Sequence, residues 1–218
     1  MIAPLESNVM ARLRAETHTE HKLAEGSEFE SALVSGRVTR PLYIAYLQQR
    51  MQIHAALDPA VMELVETEPR LGGLVVPELL QRENLAADLD FFEASAGTPV
   101  RPAREYADEI RSLGQRRCVS LLGIYYVFEG SKNGARYIAK AVQRALGLIP
   151  PDGLRYLDPH GEAQRGLWTA FKDRMNAVGF AGVEQDLMVG GAKRAFEAVR
   201  AVDGAIWEAF NVHLEAGK

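Results

Sequence analysis

LLGIYYVFEGSKNGARYIAKAV, residues 121–142, has the apolar spacing of a long helix, yet Gly123, Gly130 and Gly134 interrupt it. Each glycine inside a helix costs roughly 1 kcal/mol against alanine. The helix is expected over about 116–147, stopping at Gly147 with Pro150 and Pro151 beyond, a common way for a helix to end. At about 3.6 residues per turn, Ser120, Gly123, Val127, Gly130 and Gly134 share one face, which is almost bare backbone. Two uses account for such a face. One is close packing against a neighbouring helix; the other is direct approach of backbone to something flat and bulky.

Helical periodicity continues on both sides of this stretch. Ser7 is placed to cap a first helix running to Glu25, with Met10, Leu13, Thr17, His21 and Ala24 on one face. A turn, a short helical piece and another turn follow. Pro41 then suits the start of a long helix, PLYIAYLQQRMQIHAALDPAVMELVE, interrupted or kinked near Asp58-Pro59. Further helices are expected around 78–94, to about Leu113, around 161–177 and around 183–215. No repeat and no useful run of strand alternation appears. The expected fold is all-α: one compact multi-helix domain over residues 1–218, with its core at about 8–215.

Composition narrows the function classes. Of 218 residues, 47% are hydrophobic and 25% charged, ordinary for a globular chain, and a net charge of -4 gives no general reason to bind nucleic acid. Cys118 is the only cysteine, so neither an intrachain disulfide nor a CxxCH heme attachment exists. The N-terminus lacks the apolar core of a secretory signal, and no apolar run reaches the ~20 residues of a membrane span. The expected compartment is the cytoplasm, with no membrane insertion.

The sharpest candidate for chemistry lies on the first helix. His21 is expected on its buried face, with Glu25 four residues on and within reach. A neutral imidazole can bind a metal through one nitrogen while the other donates a hydrogen bond that fixes the tautomer; the plain alternative is a satisfied core histidine. Common metal motifs are missing: there is no Glu-x-x-His pair for a di-iron bundle and no HExxH. His54, His160 and His213 read as surface, loop or packing residues.

These residues carry a family resemblance. LRAETHTEHKLAEGSEF (13–29) resembles the proximal-helix motif of heme oxygenases, and SGRVTRPLYIAYL (35–47) the segment that follows it. YVFEGSKNGARYI (126–138) resembles the bacterial form of the glycine-rich distal helix; FKDRMN (171–176) and AKRAF (192–196) resemble the late helices. The matches keep the family's order over about residues 13–200 and are weakest over 60–110. The resemblance implies heme held between the first helix and the glycine-rich one. It makes His21 the ligand of the iron and Glu25 the partner of its second nitrogen. Gly130 and Gly134, with Ser131 between them, would cross the opposite face of the ring.

Heme would then be both cofactor and substrate, opened by dioxygen and external electrons to biliverdin, ferrous iron and carbon monoxide. A neutral histidine ligand suits ring attack better than a thiolate, which favours O–O cleavage. Arg14 and Lys172 are the expected cations for the propionates, against ordinary solvated charges, and Phe196 is expected to pack on heme or in the core. Lys132, Arg136, Lys140 and Arg144 recur every four residues. They form either a solvated face or a dock for an acidic electron donor such as a ferredoxin or reductase. A bilin-accepting protein would stand downstream. Some members carry a distal aspartate where this chain has Gly130, and Lys132-Asn133 replaces smaller or apolar residues. Tyr125, Tyr126 and Tyr137 are also near enough in sequence to take part. A protein that binds heme without degrading it would carry the same ligand and pocket, and a similar helical domain could take another small molecule or metal.

Overall fold

The computed structural model describes residues 8–216, with side chains through residue 210. The helices are α1 (Val9–Glu16), α2 (His18–Glu25), α3 (Glu28–Val34), α4 (Arg40–Thr67), α5 (Arg82–Phe91), α6 (Arg101–Gln115), α7 (Ser120–Leu146), α8 (Gln164–Ala177) and α9 (Gly182–Ala216). Three single 3-10 turns complete the regular structure, and no strand occurs among the described residues.

The expected first helix is two. Thr17, with φ -108° and ψ 6°, leaves helical geometry, and its hydroxyl turns back to donate to the Leu13 carbonyl at 2.7 Å. A threonine can hydrogen-bond locally in place of continuing the helix. The cap expected at Ser7 lies outside the described residues; Asn8 caps α1, its side chain accepting from the Ala11 N–H at 3.1 Å. Of the interruption or kink expected at Pro59, the interruption does not occur, and α4 continues to Thr67. Pro59 lacks an N–H, but the apolar positions Leu57, Val61, Leu64 and Val65 stay buried through it; packing of that face outweighs the missing bond. The helix expected from about 78 starts later, because Asp58 Oδ2 accepts from the N–H groups of Gln81 and Arg82 at 2.9 and 2.8 Å and so anchors the start of α5.

α7 and α9 cross at the centre, and here the opening question receives its first answer. A Cβ on Gly123 would lie 2.6 Å from the Met188 carbonyl carbon; one on Gly191 would lie 3.1 Å from the Ser120 carbonyl carbon. Glycine on both sides lets the two backbones touch. Ala192, Ala195 and Ala198, all buried, continue the small-residue contact along α9. Gly147, at φ +65°, ends α7 in the left-handed conformation that glycine adopts at little cost. No helix among the described residues is long and apolar enough to cross a membrane.

Candidate functional site

Further along α7 the neighbouring backbones separate and leave a cavity of about 490 Å³, within the usual range for a small-molecule site. His21, Ala24 and Glu25 of α2 form one wall, and residues of α7 from Val127 to Ile138 face them. Glu30 and Val34 of α3, with Phe196 and Val199 of α9, supply the sides. Tyr46 and Arg50 of α4, Tyr156, and Asp203 of α9 close the inner end.

The three glycines of α7 thus do three different things. Gly123 is spent on the α9 crossing and does not line the cavity. Gly130 lines it, but its missing side chain would point at the Trp168 ring, 3.3 Å from Cη2. Gly134 lines it with nothing within 4 Å of a built Cβ. The bare face expected from Ser120 to Gly134 is therefore a helix contact at one end and an open wall at the other.

His21 is not on a buried face. Its side chain is 51% exposed, at the cavity mouth, and α2 buries no residue. Its Nδ1 lies 3.4 Å from Glu25 Oε2, and the edge of Phe196 meets it with centroids 5.4 Å apart and planes at 81°. Phe196 therefore fixes the imidazole as well as lining the cavity. No described residue bonds to Nε2. Ser131 lines the cavity, although its hydroxyl donates to the Phe128 carbonyl at 2.9 Å; Asn133 likewise turns its amide to the Gly130 carbonyl at 2.9 Å.

Arg14 and Lys172 are not among the cavity's lining residues. Arg14 is exposed on α1, and Lys172 on α8 lies over the Trp168 ring, 5.8 Å from its centroid. The expected basic stripe also breaks up. Lys132 is buried and lines the cavity, Arg136 pairs with Asp158 at 3.1 Å and Glu162 at 2.7 Å, and only Lys140 and Arg144 remain exposed.

Lys132 belongs to a buried network that the sequence reading did not anticipate. Its Nζ donates to Glu129 Oε2 and to the Leu79 carbonyl, each at 2.6 Å, and Tyr125 Oη donates to the same carboxylate oxygen at 3.1 Å. Burial pulls the Lys132 ammonium below its ordinary value, with Glu129 opposing. The i, i+3 spacing was the available signal. His54, also buried, pairs through Nδ1 with Asp58 Oδ1 at 3.0 Å, so it is a core histidine rather than a surface one. Tyr126 stacks obliquely on Trp168, and Tyr137 is 74% exposed at the mouth. His213 lies outside the residues whose side chains are described.

At the inner end Arg50 Nη2 donates to Asp203 Oδ1 at 2.6 Å, and the guanidinium lies 4.7 Å from the centre of the Tyr46 ring. Burial pushes Glu30 up to about 7, with Asp203 adding to the rise and Arg50 opposing it; burial likewise pushes Tyr46 to about 12. Arg50 sits in register with Tyr43, Tyr46, Leu47, Ile53 and Leu57 on the buried face of α4. A charge on that face was a signal for a buried partner. The partner, 153 residues away, has no local mark.

These residues fit a heme. An imidazole with a free Nε2 stands at one wall, open space lies beside Gly134 at the other, and Val127, Phe128, Ile138 and Val199 give the apolar lining a large ring needs. Comparison with known proteins agrees. The chain matches the family model described as Heme oxygenase over residues 7–203. Among curated proteins it is similar to Heme oxygenase 2 of Synechocystis sp., 22% identical over 205 residues, covering 90% of this chain and 82% of that one. The crystal structure of that organism's heme oxygenase-2 in complex with heme and NO superposes with a TM-score of 0.85 at 20% identity, covering 95% of this chain and 88% of that one. Heme oxygenase from Leptospira interrogans gives 0.81 at 21% identity, covering 90% and 98%. Matched along most of its length, over residues 7–203, the chain belongs to the heme oxygenase family.

Proposed function

We infer that the protein is a heme oxygenase whose cavity between α2 and α7 receives heme, with His21 as the ligand of its iron. The observation that carries this reading is the pairing, across one cavity, of a histidine whose Nδ1 faces Glu25 with a helix wall opened at Gly134. Bound there, heme supplies both a redox-active iron and the ring that dioxygen and external electrons open to biliverdin, ferrous iron and carbon monoxide.

The chain's own residues have distinct tasks. In the neutral tautomer, Nδ1–H of His21 points to Glu25 and leaves the Nε2 lone pair for a metal. Glu25 holds the orientation of the imidazole, and Phe196 limits its rotation. Gly134, with nothing within 4 Å of a built Cβ, would leave room for oxygen beside a bound ring, while Gly130, whose missing side chain would meet Trp168, would contribute to that wall through its backbone. Ser131 and Asn133 satisfy their own helix and do not obstruct that space. Lys132 holds three protons on Nζ; two go to Glu129 and the Leu79 carbonyl, and the third is available to a water on this wall. Arg14 and Lys172, which do not line the cavity, remain the cations proposed for the propionates on the family resemblance alone. The reading carries an external electron donor, such as a ferredoxin or reductase, with the exposed Lys140 and Arg144 available to an acidic one. It also carries a bilin-accepting protein downstream and a cytoplasmic setting.

The test is a hemin titration of the purified protein, then ascorbate in air with catalase present. A one-to-one complex with a shifted Soret band, bleaching into a biliverdin absorption, is expected. His21→Ala should bind hemin without the histidine-ligated spectrum and form no biliverdin. A wild-type complex that is reduced and stays intact, even with a ferredoxin system, would leave a heme-binding protein without turnover.

A further inference from the structure

Resting on that reading, we propose that filling the cavity takes up one proton from solution at Glu30 of α3, so that the ligand is held beside a neutral carboxyl and more tightly at lower pH.

Three carboxyl side chains line the cavity among the described residues: Glu25, Glu30 and Asp203. Asp203 Oδ1 accepts from Arg50 Nη2 at 2.6 Å. Glu25 faces His21 Nδ1 at 3.4 Å, and its side chain is 65% exposed. The Glu30 carboxyl has no hydrogen bond or ion pair among the described residues; burial and the charges around it are all that act on it. Its position is set by α3. Phe29, Ala32 and Leu33 are buried and fix one face of that helix against the core, which turns Glu30 and, four residues on, Val34 to the cavity. Glu30 is half-buried, and its remaining exposure is to the cavity that it lines. A flat apolar ring there covers the carboxyl without bringing it a donor. Covering a charged carboxylate in this way costs far more than covering a neutral acid, so the group takes a proton instead.

The groups facing Glu30 push the same way on balance. Asp203 of α9 and Glu25 of α2 both favour its neutral form, while Arg50 of α4 opposes them and is already engaged by Asp203. Burial keeps the phenols of Tyr46 and Tyr156 neutral. On α7, Lys132 is committed to Glu129 and the Leu79 carbonyl, and Tyr137 stands at the mouth. His21 of α2 is neutral when it ligates. With burial as the largest cause, Glu30 already stands at about 7, and covering it raises it further. Below about pH 7 the carboxyl is neutral before the ligand enters, and little is taken up. Above about pH 7 each ligand brings in one proton, and affinity falls as pH rises. Glu30 therefore sets the pH range over which the site fills.

The experiment is calorimetric titration of the wild type and Glu30→Gln with hemin, in buffers of different ionisation enthalpy at pH 6 and pH 8, which counts the protons exchanged per hemin bound. His21 and the iron exchange protons alike in both proteins, so the difference between the two belongs to Glu30. That difference should be about 0.1 proton at pH 6 and about 0.9 at pH 8. Wild-type affinity relative to Glu30→Gln should also fall roughly tenfold between pH 8 and pH 9. No proton difference at pH 8, or an affinity ratio that stays constant with pH, overturns the proposal. Should Glu30→Gln not fold, the infrared difference spectrum of wild type carrying isotope-labelled glutamate decides: a protonated glutamate carboxyl band must appear when hemin binds at pH 8, and its absence refutes the uptake. If wild type binds hemin at neither pH, the heme reading itself fails, a result distinct from binding without a proton difference, which refutes only the role of Glu30.

Discussion

One substitution made at two glycines of the same helix should have opposite effects. At Gly123 a methyl group would overlap the Met188 carbonyl oxygen and lie 2.6 Å from its carbon and 2.9 Å from its Cα, at the carbon alone about 0.9 Å or more short of ordinary contact with rigid backbone. Neither neighbour is a flexible side chain, so α7 and α9 must separate. Overpacking of that kind costs up to about 3 kcal/mol, and the helix-propensity gain of alanine returns about 1 kcal/mol. The net loss of about 2 kcal/mol corresponds to a melting temperature lower by roughly 4–8 °C for a chain of this size. At Gly134 the same methyl meets nothing within 4 Å. Only the propensity gain remains, so Gly134→Ala should melt about 2–4 °C higher without hemin. The same variant should bind hemin more weakly, because the methyl enters the space that the ring needs. Thermal unfolding of the apoprotein followed by circular dichroism, with a parallel hemin titration, measures all three quantities. Gly123→Ala melting at or above wild type would refute the backbone contact between α7 and α9; Gly134→Ala melting lower would refute the open wall.

Glu30 binds its proton more tightly folded than unfolded, its value rising from 4.5 to about 7 through burial first and then Asp203 and Glu25, against Arg50. Its contribution to apoprotein stability is therefore full below about pH 4.5, falls as pH rises, and is lost above about pH 7. Glu30→Gln should remove that slope and gain at most about 3 kcal/mol at pH 8, read by urea unfolding across pH; an unaltered pH profile would contradict the burial of this carboxyl. Lys132→Met leaves the Glu129 carboxylate, 0% exposed, without its cation and should cost about 3–5 kcal/mol, whereas Lys132→Met/Glu129→Gln should regain most of it. Equal loss in both variants would show that the ion pair is not what Lys132 contributes.

The helical class, most helix spans and the His21–Glu25 pair were legible because each is local. A period of about 3.6 residues, a glycine with prolines beyond it, and an i, i+4 spacing are all written within a few turns of chain. The break at Thr17 was not legible, because Thr17 also fits the apolar face of a continuous helix, and its hydroxyl bond to Leu13 competes only by a small margin. Nor were the separate tasks of the three glycines, since a missing side chain says nothing about what occupies its place. Met188 stands beside one, Trp168 beside another and open cavity beside the third. Lys132 read as part of a basic stripe because spacing reports which residues share a face and not which way that face looks. The inner wall is the extreme case, where Arg50 meets Asp203 across 153 residues. Sequence by itself determined the helical class, most helix spans and the i, i+4 pairing of His21 with Glu25. Tertiary structure decided which glycines open a cavity and which charges are buried, because those depend on surfaces that meet only when the helices pack.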